Sequence, residues 1–305
     1  MNHGRTPVDP GHAPAISDTA VADRARILVS CPDRPGVVAA ISQFLYGMNA
    51  NIVRMDQYST DPDGGRLFMR VEFDLPHLSD RRRELEEGFA RTARPLDMQG
   101  EIRYARERKR IAIFVSKMDH CLRELLWQWQ AGDLSGDPVV VISNHPDLRE
   151  VAATFGLPFY HVPVTRETKA EAERRQLEIL KNYRVDLVVL ARYMQILSTQ
   201  FVSAYPNRII NIHHSFLPAF VGANPYERAY ERGVKLIGAT AHYVTANLDE
   251  GPIIEQDVQR VNHRDSVEDL KRIGRHIERV VLARAVAWHL EDRILTYKNK
   301  TVVFV

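Results

Sequence analysis

Residues 208–218, Arg-Ile-Ile-Asn-Ile-His-His-Ser-Phe-Leu-Pro, form an apolar run that ends in a cluster of polar side chains. If the run is a strand, Asn211 and His213 share one face and His214 points to the other, because successive side chains of a strand alternate. An amide and an imidazole that project together can stabilise an oxyanion and move a proton. The stretch therefore predicts a buried strand whose end carries chemistry.

The chain around this strand alternates between short β-branched runs and helix-length segments. The runs cover residues 111–115, 139–142, 159–162 and 187–191. This alternation predicts βαβ units and a mostly parallel, Rossmann-like α/β domain. Ligands of such sheets bind at the carboxyl ends of the strands, so the residues that follow each run are the candidates for function.

Two more strands are predicted downstream, at residues 236–244 and 253–258, and an acidic loop with Asp249 joins them. We expect this carboxylate to approach the amide and the imidazole and to orient the imidazole. A long amphipathic helix over residues 266–293 and an edge strand over residues 301–305 complete the predicted domain.

A metal site is an alternative interpretation of the histidines in this region. The candidates are His213, His214, His242 and His263. The sequence has no HExxH segment or comparably spaced cluster, which disfavours a metal centre. We interpret His214 and His242 as packed, hydrogen-bonded core histidines.

Residues 24–105 show a different pattern. Alternation at 27–31 and 67–73 and helical spacing at 37–45 predict the order βαββαβ, a ferredoxin-like domain. We place the catalytic α/β domain at residues 110–305.

Composition sets the broad class of the protein. A length of 305 residues favours two domains, and 45% hydrophobic and 26% charged residues are typical of soluble globular proteins. The formal net charge of +2 gives no reason to expect nucleic acid as a partner.

No apolar stretch reaches the ~18–20 residues that span a membrane. The only two cysteines, Cys31 and Cys121, suit a reducing, cytoplasmic compartment. Residues 1–23 are predicted to be a flexible tail.

Two segments of the first domain resemble the ACT family of regulatory domains. They are Cys-Pro-Asp-Arg-Pro-Gly-Val at residues 31–37 and Asn-Ala-Asn-Ile at residues 49–52. In that family the turn after the first strand lets an amino-acid effector approach the backbone, so the resemblance implies an amino-acid effector and a homo-oligomer. We expect the effector to be glycine or methionine. The implied effector-binding residues are Asp33, Gly36 and Asn51. Without the resemblance, Pro35-Gly36 would simply initiate a helix.

Three ordered motifs in residues 110–305 resemble the formyltransferases and hydrolases that use 10-formyltetrahydrofolate. They are Leu-Ala-Arg-Tyr-Met-Gln-Ile-Leu-Ser at residues 190–198, Asn-Ile-His-His-Ser-Phe-Leu-Pro at 211–218 and Asp-Glu-Gly-Pro-Ile-Ile at 249–254. The catalytic residues implied by the resemblance are Asn211, His213 and Asp249. The implied folate-binding residues are Met194, Gln195, Ile196, Leu197, Thr245, Ala246, Asn247 and Leu248. Without the resemblance, the apolar side chains at 194, 196 and 197 would be assigned to the core.

The acceptor of the formyl group distinguishes the branches of this family. Members that formylate glycinamide ribonucleotide hold its phosphate in a glycine-rich loop after the first strand, where this chain has Ser-Lys-Met-Asp at residues 116–119. This loop, His214 in place of a common proline, and the ACT segment resemble the branch that uses water. Asn224 departs from that branch, which has a basic residue there.

The resemblance implies hydrolysis of 10-formyltetrahydrofolate to formate and tetrahydrofolate, in one-carbon and purine metabolism and without a cofactor. Two alternatives stay open at this stage. The chain could transfer the formyl group to an amine acceptor, or it could be a non-catalytic sensor of an amino acid or a folate.

Overall fold

The structure, a computed structural model, describes residues 23–61, 63–218 and 225–305. Apart from Asp23, the predicted tail lies outside these residues, as does Asn224. Within the described part of the chain, no helix is both long enough and apolar enough to cross a membrane.

The chain divides into two compact units between Glu107 and Arg108. The elements of the first unit are β1 (Arg24–Pro32), α1 (Val37–Gly47), β2 (Asn51–Ser59), β3 (Arg66–Asp74), α2 (Leu78–Ala93), a 3-10 turn (Arg94–Leu96) and β4 (Gln99–Tyr104). The strands form an antiparallel sheet in the order β2-β3-β1-β4. Fully buried side chains such as Ile27, Ile41 and Leu85 join this sheet to its helices. The predicted ferredoxin-like fold is confirmed.

Helix α1 begins at Val37, and Gly36 is its N-cap with a φ of 96°. That angle lies in the left-handed region, which glycine adopts at little cost. Asp33 does not cap the helix, because its carboxylate accepts a hydrogen bond from the Ser59 hydroxyl on β2. The junction between β1 and α1 thus depends on the backbone of Gly36.

The second unit is a mostly parallel α/β domain, as predicted. Its elements are β5 (Lys109–Val115), α3 (His120–Ala131), β6 (Gly136–Ser143), α4 (Arg149–Thr154), β7 (Phe159–His161), α5 (Lys169–Asn182), β8 (Leu187–Leu190), α6 (Thr199–Ala204), β9 (Ile209–His213), α7 (Pro225–Arg232), β10 (Leu236–Tyr243), β11 (Ile253–Arg260), α8 (Val267–Leu290), β12 (Ile294–Tyr297) and β13 (Lys300–Val303). The large sheet has the order β11-β10-β9-β8-β5-β6-β7. Strands β5 to β9 pair in parallel, whereas β10 is antiparallel to both β9 and β11.

The strand register brings polar residues together at one edge of this sheet. Leu190, the last residue of β8, pairs with Asn211 on β9, and Asn211 pairs in turn with His242 on β10. The loop from β10 to β11 turns back tightly at Gly251, where an added Cβ would lie 1.7 Å from the Tyr243 carbonyl oxygen. Only glycine fits there, so this residue holds the Asp249 loop against the sheet.

Helix α8 covers one face of the sheet. A capping box between Ser266 and Asp269 fixes its start. Side chains such as Val281, Leu282 and Val286 are fully buried in the core, and each contributes about 1.5–3 kcal/mol by burial.

The prediction of an edge strand at residues 301–305 is wrong. Strand β13 pairs with β12 in a separate two-stranded sheet. The chain reverses at once after β12, so β12 is the nearest partner. A hydrogen bond of 2.6 Å from the Thr301 hydroxyl to the Ile253 carbonyl links this hairpin to β11.

Candidate active site

The central contact of the site joins His213 to Asp249. His213 ends β9, and Asp249 lies in the loop between β10 and β11 with a φ of 55°. His213 Nδ1 lies 3.3 Å from Asp249 Oδ2, and both side chains are largely buried. His213 Nε2 makes no hydrogen bond within the described residues, so it is the ring nitrogen left for a bound substrate.

His242 is buried and hydrogen-bonded, as expected of a core histidine, but it also contacts two of the predicted catalytic side chains. Its Nε2 lies 3.2 Å from Asn211 Nδ2 and 3.6 Å from Asp249 Oδ1. Its Nδ1 lies 2.9 Å from the carbonyl oxygen of Tyr243, which can only accept a hydrogen bond, so Nδ1 carries a hydrogen. In the neutral ring Nε2 then accepts a hydrogen bond from the Asn211 amide. His242 thereby sets the direction of that amide.

The Asp249 carboxylate carries a negative charge in this site. The hydrogen bond from His213, together with the nearby imidazole of His242, holds its pKa well below the usual range, although partial burial acts in the opposite direction. A carboxylate with so low a pKa is a weak base. It is better suited to orient His213 and to balance a positive charge on that ring than to keep a proton.

A cavity of about 620 Å³ opens beside these residues. Its lining includes the catalytic candidates Asn211, His213 and Asp249. The other lining residues are Met118, Leu190, Arg192, Tyr193, Met194, Gln195, Ile196, Ile212, His214, Pro225, Tyr226, Glu227, Leu248, Lys271, Arg275 and Glu278. Its volume is within the range of sites for small organic ligands.

The predicted folate-binding residues divide into two groups. Met194, Gln195, Ile196 and Leu248 line the cavity. Leu197 instead packs against a buried core cluster. Thr245, Ala246 and Asn247 are not among the described residues that line it. The Thr245 hydroxyl donates to the Asn247 carbonyl, so this part of the loop is bonded to itself.

His214 lines the cavity as well, contrary to the expectation that it is a core residue. Strand β9 ends at His213, so strand alternation does not apply to the next residue. Burial, together with the charge of Arg192, lowers the pKa of His214 to about 4. The ring is therefore neutral at neutral pH.

The sequence did not indicate a group of polar side chains at the wall of the cavity, which we call the Glu278 cluster: Glu278, His120, Tyr226 and Arg192. Glu278 Oε2 lies 2.8 Å from His120 Nε2, and Glu278 Oε1 accepts a 2.6 Å hydrogen bond from the Tyr226 hydroxyl. Arg192 Nε lies 3.5 Å from the same carboxylate. His120 and Arg192 keep the pKa of Glu278 lowered, although burial opposes them. An acidic residue at a core position of α8 was the only sequence signal.

The alternative metal site at residues 213, 214, 242 and 263 finds no support among the described residues. Among the described residues, one group of three side chains has potential ligand atoms within 4.8 Å of one another. It consists of His120, Cys121 and Glu278. The Arg192 guanidinium lies beside that carboxylate and would repel a cation.

The three residues predicted to bind an effector lie in the first unit. Gly36 has open space where a Cβ would stand. Asn51 is exposed at the start of β2, and the Asp33 carboxylate is bonded to Ser59. Gly36 and Asn51 are thus open to a ligand, whereas Asp33 already has a partner.

Two family models match the chain. A formyl transferase model matches residues 109–286, more than half of the chain, and an ACT domain model matches residues 25–87. Fold and site therefore define a formyl transferase domain that follows an ACT domain.

Relatives that match nearly the whole chain narrow this class. The formyltetrahydrofolate deformylase of Bacillus subtilis (strain 168) is 60% identical over 92% of this chain and 94% of that protein. The crystal structure of a formyltetrahydrofolate deformylase from Pseudomonas syringae pv. tomato str. DC3000 has a TM-score of 0.88 and 48% identity, over 92% of this chain and 95% of that one. The chain belongs to the formyltetrahydrofolate deformylase family.

A solved transferase matches only part of the chain. Glycinamide ribonucleotide transformylase 1 from Symbiobacterium toebii is 34% identical with a TM-score of 0.61, over 65% of this chain and 95% of that one. The similarity thus spans about two thirds of this chain, whereas the similarity to the deformylases spans nearly all of it.

Proposed function

We propose that this protein hydrolyses 10-formyltetrahydrofolate to formate and tetrahydrofolate, with Asn211, His213 and Asp249 as the catalytic residues. The observation that carries the proposal is the 3.3 Å contact between His213 and Asp249 on the wall of the cavity. Asn211 lines the same cavity, with its amide held by His242. Family membership supports the substrate and the reaction class.

In the proposed reaction, a water oxygen attacks the formyl carbon. The developing oxyanion is stabilised by the Asn211 amide and by His213. His213, charge-balanced by Asp249, delivers a proton to the folate nitrogen as the carbon–nitrogen bond breaks, and the ring regains a proton from the attacking water. One proton of the water thus ends on that nitrogen, and the other is lost as formate ionises.

The folate is proposed to lie against Met194, Gln195, Ile196 and Leu248. These residues belong to the two loops that border the catalytic groups, and the exposed side chains of Met194, Ile196 and Leu248 supply an apolar wall for the ring. The other predicted residues, Leu197 and 245–247, are proposed to hold these loops in place. Leu197 does so by packing against the core, and residues 245–247 by the hydrogen bond within their loop.

Water as the acceptor is supported by the loop after β5. Ser116 is buried, and its hydroxyl is hydrogen-bonded to Asn144 Oδ1 at 2.6 Å and to the Tyr193 carbonyl. A loop closed by such bonds has little room to wrap around the phosphate of an acceptor. This contact favours hydrolysis over transfer.

Regulation, assembly and location complete the proposal. The ACT domain is proposed to bind glycine or methionine near Gly36 and Asn51 and to pair with a second copy, within the cytoplasm. Either amino acid should change the rate of formate release or raise the melting temperature. If neither amino acid does so, the domain is not an effector site for them.

The test of the proposed function is formate release by the purified protein from 10-formyltetrahydrofolate alone. Addition of glycinamide ribonucleotide should not increase consumption of the folate. In the Asn211→Ala variant kcat should fall about 10²–10³-fold, as on loss of an oxyanion donor elsewhere. Release that requires the amine, or an unimpaired variant, would contradict the proposal.

A further inference from the structure

One set of cationic side chains on the cavity wall has no role in the proposed reaction. It consists of Arg192, Lys271 and Arg275, and the last two lie on α8 at a spacing that faces one side of the helix. Lys271 is paired with Glu227 at 2.9 Å and with Glu268 at 3.1 Å. Arg275 has no hydrogen bond or ion pair with another described residue. Of the two cations on α8, Arg275 is therefore the one available to a ligand.

Arg192 is largely buried and has unused donors. Its side chain is 13% exposed, and its Nε and Nη1 atoms make no hydrogen bond within the described residues. The neighbouring Glu278 carboxylate lies 3.5 Å from Nε, so it balances the charge of the guanidinium but makes no hydrogen bond to these donors. A guanidinium group with unpaired donors on a cavity wall favours a ligand that accepts two hydrogen bonds.

This arginine lies close to the reacting groups. Leu190, two residues before Arg192, pairs with Asn211 across β8 and β9. His214 lies next to His213 with ring centroids 5.3 Å apart, and the charges of both Arg192 and Asp249 act on it. The arginine and the catalytic carboxylate thus flank one histidine within the same cavity.

We propose that Arg192 and Arg275 form a carboxylate-binding subsite that takes the formate product. A planar guanidinium matches a carboxylate with two parallel hydrogen bonds, and formate is the smallest carboxylate. The inference rests on the proposed function, which generates formate at the Asn211 end of the same cavity. The glutamate tail of the folate has the same chemistry and is the competing source of a carboxylate.

Binding of ¹³C-labelled formate, followed by the broadening of its NMR signal, tests the subsite without turnover. The wild-type protein should broaden the signal, and sodium chloride at equal ionic strength should not displace the formate. Arg275→Gln should weaken binding about tenfold, because one charge-assisted partner is lost. Arg192→Lys keeps the charge beside Glu278 but removes the planar guanidinium that can donate two parallel hydrogen bonds. This variant should weaken formate binding as well.

Arg279→Gln is the matched control, since Arg279 lies on the same helix, pairs with Glu124 and is not among the described residues that line the cavity. It should bind formate as the wild type does. Equal binding by wild type and Arg275→Gln, or displacement by chloride alone, would overturn the proposal.

Kinetics distinguish formate from the folate tail. Formate should inhibit the wild type at lower concentrations than the Arg275→Gln variant. The Arg275→Gln substitution should change KM by the same factor for 10-formyltetrahydrofolate and for the analogue that lacks glutamate. If the variant raises KM only for the substrate with glutamate, the subsite binds the tail and the formate assignment is wrong. A protein that binds formate through Arg275 but releases none from the folate supports the subsite and contradicts the proposed function.

Discussion

The amide nitrogen of Asn211 lies 3.2 Å from Nε2 of His242, and that same ring nitrogen lies 3.6 Å from Oδ1 of Asp249. A neutral His242 accepts from the amide and leaves the second amide hydrogen free for an oxyanion. A protonated ring would instead donate to the carboxylate and could no longer accept from Asn211. The direction of the proposed oxyanion donor is thus tied to a buried histidine that is not itself expected to touch the substrate.

Replacement of His242 tests this positioning role. His242→Ala should lower kcat about tenfold or more with a smaller change in KM, because misdirection of the donor affects the transition state more than the bound substrate. His242→Gln, which retains an acceptor, should recover part of the loss. Steady-state kinetics of both variants provide the measurement, with circular dichroism as the check on folding. Unchanged kcat in the alanine variant would refute the role.

Asp249 is expected to act through its charge. Asp249→Asn keeps the size of the side chain but removes the charge that balances His213, so kcat should fall by about 10²–10⁴-fold, the contribution typical of acid–base groups. Asp257→Asn on β11, whose carboxylate pairs with Arg284 away from the cavity, is the control and should retain activity. Equal loss in both variants would show that the effect is not specific to the site.

The low pKa of His214 predicts how stability depends on pH. Burial holds this pKa near 4 in the folded protein, compared with 6.5 for an ordinary histidine. As pH falls from 6.5 towards 4, the unfolded chain takes up a proton that the folded protein does not, so stability present above pH 6.5 is lost. The expected loss is about 2–3 kcal/mol. The melting temperature should fall more between pH 7.5 and 5 in the wild type than in His214→Gln. Parallel curves would contradict this explanation.

The packing of Tyr226 against α8 depends on a glycine. A Cβ added at Gly274 would lie 1.9 Å from the Tyr226 hydroxyl, which bonds to Glu278. Gly274→Ala should therefore destabilise the protein by about 1–3 kcal/mol, despite the better helix propensity of alanine. Gly47→Ala in α1, where no atom lies within 4 Å, is the control. Thermal unfolding compares them, and equal melting temperatures would show that Tyr226 moves aside freely.

Much of the fold could be predicted from the sequence because its signals are local. The β-branched runs gave the strands of the parallel sheet, and the resemblance of the motifs pointed to Asn211, His213 and Asp249, which do lie together on one cavity wall. The Glu278 cluster could not be found in this way. Its members come from three helices and the loop after β8, and only the tertiary fold brings His120 and Glu278 together across 158 residues.

The histidines show a second limit of the sequence. The sequence predicts a core position for His242, and the residue is indeed 2% exposed. Its contact with Asn211 depends on the antiparallel register of β10 with β9, which side-chain alternation does not define. The prediction of a core position for His214 is wrong. The strand ends one residue before it, so its side chain lies at the cavity.

The reaction proposed for this cavity is transfer of a formyl group from folate to water. The most direct measurement is the quantity of formate and tetrahydrofolate formed by the purified protein from 10-formyltetrahydrofolate with no amine present. We predict equal molar amounts of the two products, at a rate that Asn211→Ala reduces about 10²–10³-fold. Absence of formate unless an amine acceptor is added would contradict the account.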